Sequence, residues 1–153
     1  MAVNYRSISS NSISGTSLTI TLPAGLVDGD LMIALLVHAT GNVNALDGAA
    51  PAGWLQETVI NNSECNIGVW TKIAAGESNP TFNWTTNNEC AGTLIAVSDP
   101  HQTISIAVNA EHYQAQTTTS TTITNNATST ADNTLLVFIV TRDTTAAETL
   151  RRF

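Results

Sequence analysis

A polar turn that feeds an uncharged apolar run occurs twice in this chain. Val27-Asp28-Gly29-Asp30-Leu31-Met32-Ile33-Ala34-Leu35-Leu36-Val37 is echoed by Thr130-Ala131-Asp132-Asn133-Thr134-Leu135-Leu136-Val137-Phe138-Ile139-Val140. Asp, Asn and Gly clusters start strands, and short apolar runs bounded by such turns fill the middle of a sheet. The repetition predicts two related sheet halves. It points to a scaffold before it points to an enzyme.

The remaining pattern is also of strands. Leu18, Ile20 and Leu22 alternate with Ser17, Thr19 and Thr21, as in a strand with one wet face. Pro23-Ala24-Gly25 ends it. Residues 39–53 read as loop, and residues 54–60 resume strand character. In the strand expected from Cys65 to Ile73, Cys65, Ile67, Val69 and Thr71 share one face, and Gly68, Trp70 and Lys72 the other. Phe82 and Trp84 share a face on a short strand, Asn87-Asn88 reads as a turn, and Ala91–Val97 as a further strand ended by Asp99-Pro100. Ile104, Ile106 and Val108 alternate again. The Thr-, Ser- and Asn-rich stretch 117–130 reads as extended chain with a loop. No segment sustains the i, i+3, i+4, i+7 pattern of an amphipathic helix. Roughly eight strands, at a spacing of about 12 residues, predict an all-β antiparallel sandwich of jelly-roll type. The expected organisation is an N-terminal segment or arm over 1–16 and a single β-sandwich domain over 17–153.

Composition narrows the function classes. Charged residues are 11% of the chain and the net charge is -7. Lys72 is the only lysine, with arginines at 6, 142, 151 and 152, so no patch can neutralise many phosphates and direct nucleic-acid binding is not expected. The longest apolar run, Leu31 to Val37, is far short of a membrane span, and Met1–Arg6 has no basic-then-apolar signal pattern. Neither a membrane partner nor a cofactor is expected.

Chemistry-bearing residues are scattered. Asp28, Asp30 and Asp47 have the oxygen chemistry of calcium ligands, but the spacing completes no calcium loop and turn formation accounts for them. His38, His101 and His112 have no carboxylate pattern for zinc, and a surface histidine is the expected reading. There is no nucleophile elbow, and no pair of carboxylates can be assigned to a cleft; no catalytic or metal-binding residue is expected, and the chain reads as non-enzymatic. Cys65 and Cys90 are open between one disulfide and two buried thiols. Pro51-Ala52-Gly53-Trp54 sets an indole at a loop-to-strand junction. Trp54, with Asn42, Asn44 and Asp47 in the preceding loop, is the candidate interface or glycan contact; the alternative is that Trp54 caps one end of the core.

Five pieces occur in a fixed order: Leu22-Pro23-Ala24-Gly25, Asp28-Gly29-Asp30-Leu31, Pro51-Ala52-Gly53-Trp54, Trp70-Thr71-Lys72-Ile73-Ala74 and Pro80-Thr81-Phe82-Asn83-Trp84. Over residues 17–97, and more weakly over 133–140, the chain resembles a family of β-sandwich domains in structural proteins of tailed phages. The resemblance implies a virion component on the outer capsid surface: a capsid decoration, or cement, protein that binds the major capsid protein as a homo-oligomer, a trimer suiting a threefold site. The alternative it implies is a receptor- or carbohydrate-binding module of a tail fibre or baseplate. It brings no catalytic residues.

Overall fold

The computed structural model describes residues 4–39, 46–61 and 65–98. They form one five-stranded sheet: β1 (Asn4–Thr19), β2 (Leu31–Ala39), β3 (Leu55–Asn61), β4 (Cys65–Ile73) and β5 (Thr81–Ser98). The order across the sheet is β1-β5-β2-β4-β3, and every pairing is antiparallel. Residues 104–108 and 117–130, the second copy of the motif, His101 and His112 lie outside the described residues.

β2 occupies the centre, between β5 and β4. Its first six residues are all buried, as an uncharged run must be when both faces of the strand are covered. Met32, Ala34, Leu36 and His38 point to one face, here the front; Leu31, Ile33 and Leu35 point to the back. β4 keeps the expected alternation. Trp70 lies on the front, and Val69 and Ile73 lie on the back. The Asp28-Gly29 turn starts β2 as expected: the Gly29 amide donates to the Ala74 carbonyl, and Ala74 donates back to Asp30.

The front face is covered by the chain's own continuation of β1 and β5. The start of β5 pairs only with the end of β1, beyond the part of β5 that pairs with β2. This ribbon carries Leu18, Ile20, Phe82 and Trp84 into one core with Met32, Ala34, Leu36, Trp70 and Leu94. Leu46 and Ala49, from the loop before β3, complete it. Two glycines make the room. Gly92 and Gly68 flank Leu36 in one row of the sheet. A Cβ on Gly92 would stand 2.6 Å from Leu18 Cδ2 and 2.7 Å from Ile20 Cδ1, and one on Gly68 would stand 2.0 Å from the Trp70 ring.

The expected turn at Asn87-Asn88 does not form; β5 runs as one strand of 18 residues. Between the pairs Gly15↔Asn88 and Ser17↔Asn83, β1 advances two residues while β5 advances five. The surplus residues bulge, and a bulge bends a strand without ending it. Continued pairing with β1 on both sides overrides the local turn preference of the asparagines. The Trp84 indole N–H donates to the Gly15 carbonyl (2.9 Å), and His38 Nε2 donates to the Thr86 carbonyl (3.3 Å), which ties the bulge down at both ends.

The boundary expected after residue 16 falls inside β1, whose residues from Asn4 onward pair with β5. This stretch is poor in apolar residues for a specific reason. Ser7, Ser9 and Asn11 donate from their side chains to the carbonyls of Ala24, Thr21 and Thr19. The segment that follows β1 therefore lies over it and is held by short polar side chains instead of a second strand. Its other edge is held by Ile20 N–H to Pro80 O and Leu22 N–H to Asn79 Oδ1.

The back face is a second apolar surface. Leu31, Ile33, Leu35, Ile95 and Val97 are buried there, with Ile8, Val69 and Ile73 packed against them. Its rows read Val97–Leu31–Ile73, Ile8–Ile95–Ile33–Thr71–Leu55 and Ala91–Val37–Ile67–Ile60 across the strands. Thr71 in the middle row donates to the Glu57 carboxylate, which comes from the irregularity of β3.

Candidate functional site

The loop before β3 is built from two tight turns. Ala49 donates to Leu46 O and Trp54 to Pro51 O, with Gly48 and Gly53 at positive φ of 69° and 87°. Those conformations suit glycine and disfavour residues with a Cβ. The first turn drives Leu46 and Ala49 into the core and leaves Asp47 exposed between them. The second sets Trp54 half-buried against the core. Its ring meets Phe82 edge-on at 5.6 Å, and Phe82 in turn meets Trp70 at 5.4 Å. Trp54 is thus the outer member of a row of three aromatic rings. Asn42 and Asn44 lie outside the described residues. Of the four candidates, Trp54 and Asp47 are seen on the same loop, one anchored and one free in solvent.

At the start of β2, the acidic turn is occupied by the fold. Asp28 accepts from the Gly76 amide (2.8 Å). Asp30 is buried, accepts from the Val27 amide and pairs with Arg6, which reaches across from β1. Glu77 accepts from Lys72 and from the Ala75 amide, and Glu57 accepts from the Thr71 hydroxyl. An open cleft of about 320 Å³ lies between the Leu22–Asp28 segment and the turn holding Ala74, Gly76 and Glu77. Its two carboxylates already hold amides or an ammonium. Among the described residues, no group of three or more His, Cys, Asp or Glu converges on a metal position.

One polar row escapes a reading of the sequence. His38 is fully buried, not at the surface. It stands opposite Cys90 on β5 and Asn66 on β4, both also buried. The signal was present in the period-two pattern: His38 continues the Met32, Ala34, Leu36 series onto the core face. Burial pushes the His38 imidazole below its ordinary pKa, and its bond to the Thr86 carbonyl offsets part of that. A neutral ring that donates from Nε2 carries a bare lone pair on Nδ1, which has no partner. The ring stacks edge-on against Trp84 at 5.3 Å. Burial pushes the Cys90 thiol up to about 12, so it stays protonated and is no nucleophile.

Cys90 is a free thiol. Ala39 of β2 faces Cys65 on one side, and the adjoining His38 faces Cys90 on the other. The two cysteine backbones are therefore two strand spacings apart, roughly 9.6 Å. A disulfide needs Cα atoms within about 7 Å. The bridge left open by the sequence is closed off by the topology.

Compared with known protein families, curated proteins and solved structures, the chain finds no match in any of the three.

Proposed function

We propose that this protein is a non-enzymatic structural protein whose β-scaffold serves assembly, of the kind that decorates and stabilises an assembled virion shell. The observation that carries this reading is where the reactive side chains go. Asp28, Asp30, Glu57, Lys72, Glu77 and Arg6 are engaged in holding turns and strands together, and the buried His38 and Cys90 lie beneath the bend of β5. Many of the described residues that face solvent carry hydroxyls and amides, with few charges among them, such as Asp47 and Glu89, and such a surface suits contacts made by shape and hydrogen bonds. The partners in this reading are the major capsid protein and further copies of the chain. Binding only the assembled shell would stabilise that state by mass action.

A jelly-roll sandwich is the architecture proposed with it. An apolar back face of the sheet supports this, because a sheet that is apolar on both sides must be covered on both.

The test is to image shells with and without added protein. Regularly spaced density that saturates on the shell, with raised heat tolerance, is the expected result. Bare shells with density confined to the tail would overturn it in favour of a tail receptor module, for which loss of glycan binding in Trp54→Ala is the next measurement.

A further inference from the structure

Two Asp-Gly pairs occur in the chain, Asp28-Gly29 and Asp47-Gly48, and the fold treats them differently. In such a pair the side-chain carboxyl readily meets the next backbone nitrogen, because glycine has no Cβ to keep the two apart. Both aspartates are exposed, so access to solvent does not separate them. Hydrogen bonding does. The Asp28 carboxylate accepts from the Gly76 amide (2.8 Å), and the Gly29 amide donates to the Ala74 carbonyl (2.9 Å). Both groups of the first pair are taken up by the turn that follows β4.

Neither group of the second pair is held. Among the described residues, the Asp47 carboxylate and the Gly48 amide have no hydrogen-bond partner. Their turn is closed by the Ala49 amide, which donates to Leu46 O (3.1 Å). A Cβ built on Gly48 would meet nothing within 4 Å, so the space around this residue is open.

We propose that Asp47 is a site of spontaneous isoaspartate formation in the folded protein, and that Asp28 is protected from the same reaction. In the carboxylic acid form, the Gly48 nitrogen attacks Cγ of Asp47. The N–Cγ bond forms, the carboxyl hydroxyl leaves with the amide proton as water, and a cyclic succinimide results. Water then adds to one of its two carbonyl carbons. Addition at Cγ restores aspartate. Addition at the main-chain carbonyl carbon breaks its bond to nitrogen, and the backbone then runs through Cβ and Cγ. Nothing is oxidised or reduced, and the water lost in the first step is regained in the second.

The neighbours set the consequence. Isoaspartate puts an extra methylene into the main chain between Leu46 and Ala49, both buried in the core. The Ala49 carbonyl is also fixed, accepting from the Asn83 amide at 2.8 Å. A lengthened turn no longer fits between these anchors, so the change loosens the hold of the loop on the front face.

The test ages the whole chain in heavy-oxygen water at physiological pH and temperature, then locates the label and isoaspartate by peptide mapping. Both are expected to accumulate several times faster at Asp47 than at Asp28, and the two rates should converge in denaturant. The thermal midpoint should fall as the modified fraction grows. Asp47→Glu, whose longer side chain closes this ring poorly, should fold like the wild type and keep its midpoint through ageing. Equal rates at the two pairs in the folded chain, or conversion of Asp47 only after denaturation, would overturn the proposal. A modified chain that melts like the fresh one would overturn the loosening of the loop. No shell enters this test, so its failure leaves the shell-binding reading standing.

Discussion

The indole of Trp84 and the carbonyl of Gly15 join the two longest strands of the sheet where both leave regular register. This bond, 2.9 Å long and 69 residues apart in sequence, holds the ribbon in its folded-over position. Trp84→Phe keeps a ring against His38 but removes the donor, leaving the Gly15 carbonyl without its partner. The expected loss is about 1–3 kcal/mol, typical of orphaning one partner of a buried bond. Urea denaturation of the variant against the wild type measures it.

Gly68 and Gly92 are expected to differ in tolerance. A methyl at Gly92 meets the ends of Leu18 and Ile20, which have some freedom to shift, whereas one at Gly68 meets the rigid Trp70 ring. Overpacking costs about 1–3 kcal/mol and sometimes more. Gly68→Ala should lower the thermal midpoint further than Gly92→Ala, and the reverse order would contradict the packing described.

Arg6 and Asp30 should be energetically coupled. The Asp30 side chain is 3% exposed and that of Arg6 36%, so the pair is screened on one side only. Breaking a fully buried pair costs about 3–5 kcal/mol, and exposed pairs contribute about 0–1. Asp30→Asn is expected to fall between, at about 1–3 kcal/mol. A double-mutant cycle with Arg6→Met should return a coupling well above that of a surface pair.

The burial of His38 makes stability depend on pH. Its folded pKa lies below the ordinary 6.5, so the unfolded chain binds the proton more readily. Stability is then full above about pH 6.5 and falls as pH drops towards the folded value. Urea titrations from neutral to mildly acidic pH should show this loss, and His38→Gln should flatten it. An equal slope in both proteins would remove His38 as the cause.

Cys90 should be inert in the folded protein. With its thiol held at about 12, it stays protonated at neutral and mildly alkaline pH. In a Cys65→Ser background, a thiol reagent at mildly alkaline pH should label the chain only after denaturant is added. Prompt labelling of the native protein would show that the front face opens.

The strands most visible in the sequence were those whose neighbours impose one uniform demand. β2 is buried on both sides along its first six residues, so a bare apolar run identifies it. β4 alternates cleanly because each of its faces meets one environment. The union of residues 81–84 with 90–98 was hidden, because asparagine side chains favour turns locally while the pairing that overrides them comes from β1, far off in sequence. Ser7, Ser9 and Asn11 read as part of an N-terminal segment or arm for a related reason: their partners are carbonyls of an overlying segment, and backbone acceptors leave no trace in the amino-acid code. At the candidate loop, Trp54 was found from its Pro-Ala-Gly-Trp turn, but its anchoring on Phe82 depends on the bend of β5.

The pairing of Asn4 with Ser98 also sets an order of events during synthesis. β1 has no partner among the described strands until β5 has left the ribosome, and β2 lacks one of its two neighbours until the same moment. Contacts this distant in sequence close slowly, because the chain must lose much of its freedom before any of them forms. The early strands must therefore stay dispersed while translation continues. A Ser- and Asn-rich first strand, with few groups able to drive aggregation, suits that wait.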